Sequence, residues 1–283
     1  MKKLLLISFF SLSVYTQAQV QTPKASPLAK VEQRVGLTDI SISYSRPAVN
    51  HRIIFGDLIP YGTRWRLGAN ENTKFRTNDD LTFSSGVLKA GTYSLFATPN
   101  IDHWVLEFYS DTTNWGLPEK WDESKVVLIL KTGLEKPRMT TENLTISIEN
   151  MEFNGADLVV AWDEHLVRFP FTVNTKVKVL ESIDKTMKSK SASANDYHAA
   201  ASYYFSENLD LKQALEWSKK AVELKGPSAY WMTRLKAQLQ AANGDIKGAM
   251  ETAKLSLQEA KKDGDENYVR MNQQSIDEWS KKK

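Results

Sequence analysis

Residues 31–80 contain six arginines (34, 46, 52, 64, 66 and 76) and one lysine, Lys74, whereas the rest of the chain holds 4 arginines and 26 lysines. A solvated surface does not require that switch. Lysine is a flexible point charge; arginine presents a planar fork of donors that locks onto carboxylates, phosphates or carbonyls and stacks on aromatic rings. Read for chemistry, Arg46, Arg52 and Arg66 together with Trp65, Asn70 and Glu71 make a candidate groove for a small anionic or sugar-like ligand, since ordered loops on a rigid scaffold are common binding sites. Read for structure, the same arginines hold down a long connection between strands. Asp39, Asp57 and Glu71 would then be their carboxylate partners, and Trp65 or Tyr61 their stacking partners. Both readings remain open from the residues alone.

Other chemistries find less support. The chain has no cysteine and 4 histidines, at positions 51, 103, 165 and 198. There is no Gly-x-Ser-x-Gly elbow, no His-Glu-x-x-His, no Walker loop and no Gly-x-Gly-x-x-Gly. Asp102-His103 and Asp163-Glu164-His165 bring metal-ligand types together, but adjacent ligands of this kind arise cheaply by chance. No catalytic residue, metal ligand or cofactor is therefore expected. A hydrolase of glycans or esters is the alternative, because any two carboxylates can meet in space, and Glu71 near Trp65 is the acid to nominate. Trp104, Phe108 and Trp162 lie in strand patterns and read as core. Trp115 and Trp121 lie in the turn-rich stretch 111–124, which either forms a second lip of the groove or covers a sheet end.

The elements that would position these residues follow from periodicity. Ile40, Ile42 and Tyr44 alternate with Ser41, Ser43 and Ser45, a period of two that buries one face of a strand. Further strands are expected at 30–35, 72–77, 81–83, 92–98, 104–110, 125–130, 144–149, 157–162 and 167–173, separated by turn signals such as Ala90-Gly91 and Asn154-Gly155. About ten short strands in this span predict a β-sandwich of jelly-roll-like type over residues 30–175, with a closed barrel as the alternative.

Beyond residue 176 the composition turns to alanine, lysine, leucine and glutamate. Residues 176–195 read as a linker with helical tendency, and 196–283 as helices at 196–208, 211–224, 229–243, 246–261 and 266–279. Asp210 and Asp245 are expected N-caps, and Asn243-Gly244 ends a helix. Laid over one another at a period of 35, Ser202 falls on Ala237, Ala214 on Ala249 and Ala221 on Ser256. Small residues recurring at helix crossings resemble tetratricopeptide repeats.

Arg46-Pro47, the run from Arg52 to Gly56, Pro60-Tyr61-Gly62, Trp65-Arg66, the run from Gly68 to Glu71, Ala90 to Phe96 and Asn114-Trp115-Gly116 occur in the order seen in the bacterial family called domain of unknown function 2911. The chain resembles that family over about residues 25–173. The resemblance implies an exported bacterial protein, in some members carrying helical repeats, and implies no activity.

The first residues agree with export. Lys2 and Lys3 precede an apolar run from Leu4 to Val14, and Thr16-Gln17-Ala18 places small residues where a signal peptidase reads, so 1–18 is an expected signal peptide. Residues 19–29 form an extended lead-in. The apolar run is too short to cross a bilayer, which takes about 20 residues. The chain carries 37 basic and 34 acidic residues, and no basic stripe of the kind nucleic-acid binding requires. These features predict an exported, periplasmic or extracellular, non-catalytic protein. Its β-rich half would bind a small ligand and its helical half a protein partner.

Overall fold

The computed structural model describes residues 22–281. The expected signal peptide lies outside the described residues. The described residues divide into two compact units, the first ending at Thr175 and the second beginning at Lys176.

The first unit is made of antiparallel strands. β1 (Leu28–Val35), β2 (Thr38–Ser45), β3 (Lys74–Thr77), β6 (Gly91–Pro99), β7 (His103–Tyr109) and β8 (Val126–Gly133) form a six-stranded sheet in the order β1-β2-β3-β6-β7-β8. β4 (Leu81–Phe83), β5 (Gly86–Leu88), β9 (Thr141–Glu152), β10 (Gly155–Asp163) and β11 (His165–Val173) form a five-stranded sheet in the order β5-β4-β11-β10-β9. Alternation explains the burial: Ile40, Ile42 and Tyr44 of β2 join Phe75, Leu95, Leu106, Ile146, Leu158 and Phe169 in one core drawn from both sheets. The pairings establish two antiparallel sheets; they do not carry the finer jelly-roll wiring. β1 begins at Leu28, so strand pairing starts inside the expected lead-in. β5 was not expected from its sequence, because its three residues follow directly on the turn at Ser84-Ser85.

The second unit has six helices: α1 (Thr175–Met187), α2 (Ala194–Ser206), α3 (Leu211–Lys225), α4 (Tyr230–Ala242), α5 (Ile246–Asp263) and α6 (Glu266–Ser280). α1 occupies most of the expected linker. Asp210 caps α3 by accepting from the amides of Lys212 and Gln213, and Asp245 caps α5 through the amide of Gly248. Ala214, Ser218 and Ala221 of α3 are buried, and so are Ala249, Ala253 and Ser256 of α5, the same stripe 35 residues later. In α2 the buried small residues are Ala200 and Ala201, whereas Ser202 is exposed, so that part of the expected register is displaced by one position.

Candidate functional site

The long connection between β2 and β3 is ordered by its own side chains. Residues 46–49 run beside β9: Leu144 N donates to Pro47 O, Val49 N to Glu142 O, and Ala48 bridges Asn143. Arg46 fastens this contact, its Nε donating to Leu144 O at 2.9 Å and its Nη2 to Thr145 Oγ1 at 2.8 Å. Arg52 closes the next turn on Val49 O and Ala48 O, at 3.1 and 2.6 Å. Both forks are spent on the protein's own acceptors, which is the structural role open to them from the sequence.

Trp65 then exchanges two backbone hydrogen bonds with Ala97, of 2.7 and 2.8 Å, as though β3 had already begun. The regular ladder resumes only at Lys74, opposite Ser94. The residues between bulge out and are closed by side-chain bonds, one of them from Thr73 Oγ1 to Leu67 O at 2.5 Å. Trp65 Nε1 donates to Gly68 O at 2.9 Å and Arg66 Nη1 to Asn70 O at 2.9 Å. Asn70 Nδ2 reaches Ser26 O at 3.1 Å and Ser45 Oγ at 3.3 Å. Leu67 and Asn70 have φ of 49° and 58°, and Gly68 of 154°. A Cβ on Gly68 would lie 3.1 Å from Ser45 O and 3.2 Å from Thr73 Oγ1, so space and backbone conformation both call for glycine there.

The ring of Trp65 points inward, only 8% exposed. It stacks on Trp162 at 5.6 Å and meets Trp104 edge-on at 6.3 Å, with Phe55 in the same cluster. His165 turns its ring toward Phe55 at 4.1 Å, and burial pushes its pKa down. Asp102 and His103 bond to one another at 2.6 Å. Among the described residues no group of three or more histidines, aspartates or glutamates could hold a metal ion.

Arg64 is the residue that the sequence reading left without a role. Its Nε and Nη2 grip both oxygens of Glu107, at 2.6 and 2.9 Å, and Glu107 is only 3% exposed. The face of the guanidinium lies 3.7 Å above the Trp121 ring, which stacks on Tyr109 at 4.5 Å and meets Phe96 edge-on at 5.1 Å. Phe96, Glu107 and Tyr109 alternate with core residues of β6 and β7, so this second cluster lies on the outer face of the six-stranded sheet. It pins residues 111–125 over that face, helped by the 2.8 Å pair of Lys125 with Asp111, whose carboxyl that bond holds far below the usual range. An acid alternating with Trp104, Leu106 and Phe108 was the signal available in the sequence.

Between the arginine segment and the pinned loop lies a shallow groove of about 340 Å³, lined by residues 58–60, 63–66 and 115–117. Its rim is apolar and exposed: Trp115 (65%), Leu117 and Leu58. Arg66 packs against the loop that carries Trp115, since a Cβ on Gly116 would lie 2.9 Å from Arg66 Nη1. Of the six nominated residues, the groove lining includes Trp65 and Arg66. Asn70 supports Arg66 from behind, Arg46 and Arg52 act on loop carbonyls, and Glu71 is exposed outside the lining. A larger hollow of about 400 Å³ lies over β1–β3. Its lining holds the paired Arg34 and Asp39 and no aromatic residue, so the smaller groove is the better candidate.

Arg66→Lys separates bracing from availability. Lysine can replace the single bond to Asn70 O but not the planar contact with Gly116, so a loss of about 1 kcal/mol in stability is expected. Arg52→Lys, at an exposed side chain, should change stability by less than about 0.5 kcal/mol. Chemical denaturation of the two variants checks the order; a larger loss for Arg52 would reverse the assignment.

These features define a two-sheet β unit with an arginine and aromatic groove, followed in the chain by a six-helix unit. The chain belongs to the family described as protein of unknown function (DUF2911), whose model matches residues 26–171. No curated protein and no solved structure matches it.

Proposed function

We propose that this is an exported, non-catalytic binding protein whose β unit takes a small anionic or sugar-like ligand and whose helical unit engages a protein partner. The observation that carries the first part is the composition of the groove: guanidinium and aromatic groups on an apolar rim, with no carboxylate in the lining. The hydrolase alternative would need two carboxyl groups about 5–10 Å apart across the site. The helical part rests on the stripe of small residues repeated at 35 residues and on a concavity of about 300 Å³ bordered by Phe205, Gln238, Ser275 and Trp279. We read these helices as tetratricopeptide-like. Export rests on the basic and apolar pattern of residues 1–18. No helix among the described residues is long and apolar enough to cross a membrane.

A thermal-shift screen of the full chain against neutral sugars, sugar acids, phosphates and peptidoglycan fragments tests the binding reading. At least one class should raise the melting temperature, as any ligand bound only by the folded state must. That rise should disappear in Trp115→Ala. A screen with no response, or turnover of a glycan or ester during it, would overturn the proposal.

A further inference from the structure

The groove's charge is more specific than its composition. Two guanidiniums line it, but that of Arg64 is neutralised by both oxygens of Glu107. Arg66 spends only Nη1, on the carbonyl of Asn70. Its Nε and Nη2, the edge that matches a planar carboxylate with two parallel hydrogen bonds, have no partner among the described residues. The groove therefore offers one uncompensated positive charge with a two-point fork. A phosphate dianion would want a second charge, which Glu107 has already taken.

In the same groove is Trp115, a flat ring left 65% exposed, with Leu58 and Leu117 in the same lining. An indole face of this kind accepts the apolar C–H face of a pyranose while the hydroxyls keep polar neighbours. A volume of about 340 Å³ is at the small end of ligand pockets, which run from roughly 300 to 1,000 Å³.

We propose that the groove binds an acidic sugar of one or two rings, its pyranose stacked on Trp115 and its carboxylate on the Nε–Nη2 edge of Arg66. This rests on the binding reading above and adds to it the class of ligand. Isothermal titration calorimetry of the full chain with digalacturonate and with its dimethyl ester tests it. The acid should bind at least about tenfold more tightly than the ester, the scale of a hydrogen bond to a charged group. Trp115→Ala should weaken the acid by about tenfold or more with the circular dichroism spectrum unchanged, because the ring is already largely in water.

Equal affinity for acid and ester would overturn the carboxylate assignment and leave the groove reading standing. Binding insensitive to Trp115→Ala would overturn the location. No heat with either sugar would overturn the acidic-sugar assignment. In that case a different ligand from the thermal-shift screen, lost in Trp115→Ala, would preserve the binding reading, and a silent screen would remove both.

Discussion

Arg64→Ala is expected to lower the unfolding free energy of the β unit by about 3 kcal/mol. The carboxylate of Glu107 is 3% exposed and both of its oxygens are held by Arg64, so alanine leaves a charge in the interior of the outer-face cluster with nothing to balance it. Breaking a buried pair from one side costs roughly 3–5 kcal/mol; the lower end applies because the Arg64 side chain keeps 30% of its exposure. Trp121 loses the cation above its ring in the same variant. The double variant Arg64→Met with Glu107→Leu should recover most of the loss, since it removes both charges and keeps the volume. Denaturation in urea measures both. A single-variant loss below about 1 kcal/mol would mean that water reaches Glu107, and a double variant no better than the single one would mean that the pair adds specific stability.

Trp65→Ala should be at least as damaging, at about 3–5 kcal/mol, the range for large aromatic truncations in a core. The ring touches both Trp104 and Trp162, and its Nε1 closes the bulge on Gly68 O. Trp65→Phe separates these contributions: it keeps most of the packing and leaves the Gly68 carbonyl without its donor, at a cost of about 1–3 kcal/mol. A Trp65→Ala variant of native stability would place the ring in the groove after all, as a contact surface rather than a core member. The same unfolding measurement decides this, and it carries more weight than any binding result, because loss of binding in a half-unfolded variant says nothing of contact.

Period and turn chemistry made most of the strands and helices legible. Ile40, Ile42 and Tyr44 announce a buried face on their own, and Asp210 and Asp245 announce helix starts because a carboxylate there satisfies orphan amides. Pairing over distance was not legible. Nothing local tells β3 to lie beside β6 or β4 beside β11, since those choices depend on how two sheets close over one core. The candidate site divides along the same line. The clustering of arginines is a sequence fact, and it singled out the arginine segment as a candidate. Which of them would face outward was hidden, because Arg46, Arg52 and Arg64 are distinguished only by the acceptors the fold brings to them. Trp65 and Trp115 could not be told apart by type either; one ring is buried and the other exposed because 65 pairs with β6 while 115 sits on a loop over the outer face.

The bulge that begins at Trp65 also bears on the register of the strand that carries it. From residue 65 to residue 74 the chain advances nine positions, while its neighbour β6 advances three, from 94 to 97, a surplus of six. Six is even, so the side chains flanking the surplus keep the same inward and outward alternation they would have in a plain strand. The extra residues are not an appendage to the scaffold: Leu67 among them is 0% exposed within the core, so the bulge both fills the sandwich and carries Arg66. A change of its length by an even number of residues would keep Lys74 and Phe75 on their present faces, whereas an odd change would exchange them.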